Sequence, residues 1–132
     1  LSDLHVLEQG QRLGGKLDSN AMARKAIAAV NRVDPQPRVA VITGDLAHNG
    51  TVAELRVARS ILDSLAMPWC VLPGAHDDPE AFHEAFGDLP YLSNRSQPGY
   101  VFDTEDVRVI AFRTTSGKGS PPPCRARPVP PR

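Results

Sequence analysis

No apolar run in this sequence exceeds five residues, the longest being residues 26–30. A helix that crosses a bilayer needs about 20 in a row, so no membrane-spanning helix is expected. Cysteine is nearly absent. Cys70 sits inside an apolar stretch and Cys124 among prolines, and neither has the spaced partners of a disulfide or metal framework. Cys70 reads as a small core residue. No Gly-x-Gly-x-x-Gly follows a strand-like run, which argues against a Rossmann-type dinucleotide site. An excess of either charge is also missing, since 15 bases balance 15 acids. The balance is uneven, because residues 1–106 hold all 15 acids with 9 bases, and residues 107–132 hold the other 6 bases and no acid. The larger part is therefore mildly acidic, which suits a cation better than a nucleic-acid backbone. Neither a nucleic-acid polymer nor a membrane is an expected partner.

What is present is enough for one domain: 132 residues can bury a core. The organising stretch is Val39-Ala40-Val41-Ile42-Thr43-Gly44-Asp45, an apolar run that breaks at Gly-Asp and puts a carboxylate at the mouth of a buried strand. Residues 38–43 predict that strand, with both faces covered. Before it, residues 1–5 read as the exit of a first strand, with Asp3 and His5 on one side of an extended segment. Residues are expected upstream of Leu1, and the compartment expected is the cytoplasm. The glycine-rich stretch 8–18 reads as a loop. From Ser19 or Asn20 as N-cap, a helix is predicted to about Val33, with Ala23, Ala26, Ile27, Val30 and Val33 on one face. Asp34-Pro35-Gln36-Pro37 ends it.

After the central strand, Thr51-Val52-Ala53-Glu54 has capping-box spacing. The helix it opens should present Leu55, Ala58, Leu62 and Leu65 inward and stop near Met67-Pro68. Residues 69–72 predict a third strand, so strand, helix, strand implies parallel pairing with crossover helices. Asp78-Pro79 opens a short helix that Gly87 closes. Residues 99–102 and 107–112 predict an antiparallel hairpin. From residue 116 the composition changes to proline, arginine and glycine, which cannot build a core, so the domain is assigned to 1–115 and a disordered tail to 116–132. A flexible basic tail and a lost reading frame at 113–117 both account for that composition, and the coding DNA distinguishes them.

Three polar clusters thus fall at three strand exits: Asp3-Leu4-His5, Gly44-Asp45 with Gly50 five residues on, and Gly74-Ala75-His76-Asp77. In an open parallel sheet that edge is where ligands and metals sit. In this order, with about 40 and then about 30 residues between them, the motifs resemble the calcineurin-like metallophosphoesterases over residues 1–112. The wording around Ser2-Asp3-Leu4-His5 and Asp18 is most similar to the bacterial cyclic-nucleotide phosphodiesterase branch. The resemblance implies an α/β fold, part of an αββα sandwich with parallel strands, crossover helices and then an antiparallel hairpin. It also implies hydrolysis of a small phosphodiester, 3',5'-cyclic nucleotides among the candidates, by a hydroxide activated between two metals about 3.5–4 Å apart. By resemblance Asp45 bridges the metals, and Asp3 and His5 hold one of them. Such donors suit Mn, Fe or Zn better than Ca. His76 is assigned to catalysis, steadying the transition state or protonating the leaving oxygen, with Asp77 able to orient its ring. Asn49 is a turn residue able to line the cleft and contact substrate. His48 is expected to be exposed, and His83 to lie on a solvated helix face.

The chain departs from the family pattern in two places. Relatives carry Asn where this chain has Ala75, and they supply further histidines where this chain has none after His83. Of roughly seven ligands that a two-metal centre of this family takes, Asp3, His5 and Asp45 remain, so at most one metal is expected here. The copy is then an impaired or inactive phosphodiesterase domain, or a non-catalytic remnant that binds one metal or phosphate weakly or serves only in interactions.

Overall fold

The two apolar runs become a parallel strand pair. In a computed structural model, which describes residues 1–92, 99–103 and 107–112, β1 (Ala40–Ile42) lies beside β2 (Trp69–Val71), with Ala40 opposite Trp69 and Ile42 opposite Val71. The tail expected from residue 116, the suspected break at 113–117 and Cys124 lie outside the described residues. Around the pair the chain forms α1 (Ser19–Val30), α2 (Val52–Leu62), α3 (Pro79–Phe86), a 3-10 turn at Pro90–Leu92, and the antiparallel hairpin of β3 (Gly99–Asp103) and β4 (Arg108–Phe112). This is the expected mixed α/β arrangement, with α2 linking two parallel strands.

Alternation along the strands decides what each face meets. Ala40, Ile42, Trp69 and Val71 turn to the helices, where Ile27, Leu55, Leu62, Phe82 and Phe86 complete the main core. Val41, Cys70 and Leu72 turn the other way, onto Tyr100 and Ala111 of the hairpin. The short strands therefore have no solvated face, which is why their sequence shows no polar alternation. Arg59 of α2 ties the helical layer to its neighbour: its guanidinium forks onto Asp88 at 2.9 and 3.2 Å and lies over the rings of Trp69 and Phe86.

Several boundaries differ from expectation for local reasons. Residues 1–5 do not form a strand, because Asp3 and His5 have φ of 57° and 42°, so an extended ribbon cannot pass through them. The segment still runs parallel to residues 41–48, joined by Asp3 N to Gly44 O, His5 N to Asp45 O and Val6 N to Leu46 O. The N-cap of α1 is Asp18, whose carboxylate accepts from Ala21 N. Asn20 is occupied elsewhere, bonding both backbone groups of Leu7. Helix α1 stops at Val30 because Asn31 turns its side chain to Ser64 O and Ala66 N, and Val33 is left exposed. Only half of the capping box at Thr51 forms: Thr51 accepts from Glu54 N, but the Glu54 carboxylate reaches Asn49. Helix α2 ends at Leu62, and Ile61 and Met67 fill core positions that Leu65 only partly fills.

The hairpin-side core holds two tyrosines. Tyr91 Oη accepts from Val71 N, and its ring lies 4.5 Å from that of Tyr100. Burial pushes both phenols up from the ordinary tyrosine value. An unfolded tyrosine ionises at about pH 10. Above that pH only the unfolded chain releases these protons, so stability is intact below it and falls as pH rises past it. Urea midpoints are expected to drop between pH 8 and pH 11, and to drop less in a Tyr91→Phe, Tyr100→Phe double variant. Equal slopes in the two proteins would contradict the assignment.

Candidate metal centre

Three chain segments meet beyond the carboxyl ends of β1 and β2: residues 1–6, 43–50 and 73–78. Two of them touch backbone to backbone. A Cβ on Gly44 would stand 2.6 Å from Gly74 Cα, and one on Gly74 would stand 2.1 Å from Asp45 N, so neither position admits a side chain. Gly50 has φ of +72°, and a Cβ there would lie 2.3 Å from His76 O, which gives the glycine five residues past Asp45 its physical reason.

Asp77 clamps the two loops. Its carboxylate is 4% exposed and accepts from Leu46 N at 3.1 Å, Ala47 N at 2.9 Å and Gly74 N at 2.7 Å. It therefore does not orient the His76 ring, contrary to expectation, because all its bonds go to backbone amides. The ring is held instead by His48 O, 2.9 Å from His76 Nδ1. A carbonyl only accepts, so Nδ1 donates and Nε2 is the ring's other nitrogen. Asp45 Oδ1 accepts from His76 N at 3.0 Å, which joins the second and third segments again.

The structure brings Asp3, His5 and Asp45 together: one ligand atom of each lies within 4.8 Å of the others. Among the described residues, these three are the non-glycine positions with positive φ, at 57°, 42° and 50°. Such backbone costs energy and persists where the surroundings enforce it, as at ligand sites. Aspartate and histidine tolerate it better than most side chains. Ser2 Oγ donates to Asp3 Oδ2, and the His5 Nε2 to Asp3 Oδ1 separation is 3.8 Å. His5 Nδ1 is buried with no hydrogen-bond partner. Two carboxylates with an imidazole that faces Asp3 through Nε2 and keeps its Nδ1 without a protein partner form a donor set that fits a divalent cation.

His48 was not among the expected site residues, and it is not exposed. It is half-buried, its Nδ1 lacks a partner, and with His5 and His76 it forms a second group whose ligand atoms all lie within 4.8 Å of one another. The register that pairs Val6 with Ala47 brings the neighbouring histidines together. The only signal in the sequence is a histidine three residues past the Gly-Asp turn. Asn49 stands at the rim, its N and Nδ2 both donating to the buried Glu54 at 2.8 and 2.7 Å. His83 is half-buried on α3, with its ring edge against Gly87, outside both groups. Ala75 is exposed and offers no donor. Next to Asp3 and His5 opens a cleft of about 310 Å³ whose other walls include Leu13, Leu17, Met22 and Ala23.

Comparison with known proteins identifies the family. Residues 1–122 match the family described as calcineurin-like phosphoesterase. The chain is 34% identical over 112 residues to the glycerophosphodiester phosphodiesterase GpdQ of Enterobacter lignolyticus, across 83% of this chain and 40% of that protein. It is 35% identical over 101 residues to a probable cyclic nucleotide phosphodiesterase of Rhodopseudomonas palustris, across 76% of this chain and 35% of that protein. A probable GpdQ of Arcobacter nitrofigilis is 26% identical over 112 residues, across 85% and 41%. The chain therefore spans about two fifths of the length of these relatives.

Proposed function

Because the chain belongs to the calcineurin-like phosphoesterase family, we propose that it supplies the cation-holding part of an enzyme that hydrolyses small phosphodiesters. The observation that carries this reading is the convergence of Asp3, His5 and Asp45 on backbone held in the left-handed region. These two carboxylates and one imidazole would hold one Mn, Fe or Zn ion. When bound, such an ion acidifies a water nucleophile and offsets the charge that gathers on the phosphorus oxygens.

The chain's own residues do the rest. Asp45 serves both as ligand and as the acceptor that fixes the His76 backbone. His76, with Nδ1–H tied to His48 O, offers Nε2 to the substrate: the imidazolium form donates to the departing oxygen, and the neutral form accepts a proton. Asn49, pinned by Glu54, is assigned to substrate contact. Relatives named for glycerophosphodiesters and for cyclic nucleotides share one chemical class, a phosphodiester on a small alcohol, and that is the substrate class assigned to this chain.

A second reading is favoured by Ala75, which has no ligand atom where the family pattern places an asparagine. With no histidine after His83 either, Asp3, His5 and Asp45 would hold one ion where the family centre takes two. Loss of even an indirect metal partner costs about 10 to 100-fold, and loss of direct ligands costs more. The 132-residue chain alone, with Mn and bis-p-nitrophenyl phosphate, is therefore expected to turn over at background. Turnover comparable to that of a full-length relative would refute this. Restoring Asn at position 75 and joining a relative's carboxyl-terminal part separates the readings: recovered hydrolysis marks an enzyme domain, and continued failure with no metal bound marks a non-catalytic remnant.

A further inference from the structure

The geometry of the three histidines carries a separate conclusion: we infer that His5, His48 and His76 form an all-imidazole site for a borderline cation such as Zn(II). It goes beyond the hydrolytic reading and does not depend on it. The ring centroids lie 4.8 Å apart for His5 and His76, 5.8 Å for His5 and His48, and 5.9 Å for His48 and His76. One ligand nitrogen of each falls within 4.8 Å of the other two. Tetrahedral zinc with Zn–N of about 2.0–2.1 Å needs nitrogens about 3.3 Å apart, a difference that side-chain rotation covers.

Two further observations point the same way. The Nδ1 atoms of His5 and His48 are buried without partners, and a buried polar atom left unsatisfied is costly unless something binds it. His76 already has the arrangement of a ligating imidazole. Its Nδ1 is committed to a backbone carbonyl, the kind of outer contact that fixes the tautomer and leaves Nε2 for a metal.

The two donor sets differ in kind and share one member. Asp3, His5 and Asp45 are mostly oxygen, and His5, His48 and His76 are all nitrogen, so the first favours Mn and the second favours Zn. Since His5 belongs to both, a single ion settles on the set that suits it. Zinc on the imidazole set also engages His76 Nε2, the atom that the hydrolytic reading assigns to substrate. Zinc is therefore expected to withdraw that group, which manganese leaves available.

The test uses the full chain, stripped of metal and followed through the ring nitrogen signals of its four histidines during titration with ZnCl2. Zinc is expected to move His5, His48 and His76 together and to saturate at one equivalent, with His83 unmoved as internal control. Replacing His48 by Ala, or by Gln if Ala impairs folding, should weaken zinc about 100-fold, since a direct ligand matters more than an outer one, and should leave manganese affinity unchanged. Asp3→Asn should do the reverse. An unmoved His48 ring at saturating zinc, or wild-type zinc affinity in both His48 variants, overturns the site. Manganese binding that fails in the wild-type chain while zinc binds as described would sink the hydrolytic reading alone.

Discussion

Asp77→Ala is expected to destabilise the chain by about 4 kcal/mol or more, although Asp77 is not among the groups expected to bind metal. Its carboxylate takes three amide hydrogens, from Leu46, Ala47 and Gly74, and hydrogen bonds to a charged group are worth about 1.5–3 kcal/mol each. Alanine leaves those amides facing a buried gap. Water entering from the loop side recovers part of the loss, so the sum of three is an upper bound. A domain of this size holds about 5–15 kcal/mol in total, so a large share of its stability is at stake. With a urea slope of about 1–3 kcal/mol per molar, the midpoint should fall by about 2 M. Asp77→Asn keeps one acceptor oxygen and should fall about half as far. A midpoint equal to wild type in Asp77→Ala would mean that the glycine contacts alone hold the loops together. The same variant, studied below its melting range, should also bind cations less well, because Asp45 and His76 sit on the two loops that Asp77 joins.

Asp45→Ala is expected to lower manganese affinity by more than about 100-fold. The change removes a direct ligand, and loss of an indirect one already costs about 10 to 100-fold. It also removes the acceptor of His76 N, so both loops lose a tie. The backbone of residue 45 has φ of 50°, which alanine tolerates less well than aspartate, so some stability is lost as well. Asp45→Asn keeps the hydrogen bond and the backbone preference, and it isolates the loss of charge. Calorimetric titration of both variants separates ligand loss from loop loss. Equal manganese affinity in wild type and Asp45→Asn would remove Asp45 from the site.

Features set by neighbours in the sequence were the legible ones. Asp78-Pro79 and Gly87 bound α3 as expected, because a capping carboxylate, a first-turn proline and a crowded C-cap act within one turn. The parallel pair was legible because the runs at 39–42 and 69–72 are apolar on both faces. Features set at a distance were not. Alternation places Asp3 and His5 on one side only if the backbone is extended, and their positive φ values bring them together by another route. Adjacency suggests that Asp77 serves His76, but its partners among residues 46 and 47 lie about thirty positions away in sequence. Helical periodicity carries α1 on to Val33, whereas Asn31 bonds across to residues 64 and 66 and ends the helix earlier. His48 reached the site through the register of residue 6 against residue 47, which no local pattern encodes.

Paramagnetic relaxation by Mn(II) tests directly whether Asp3, His5 and Asp45 share one cation. In the metal-free chain, substoichiometric manganese should broaden the side-chain signals of Asp3, His5 and Asp45 first and saturate at one equivalent. Calcium in tenfold excess should not displace it. Broadening spread evenly over the exposed carboxylates, with no saturation and no preference for those three residues, would contradict it.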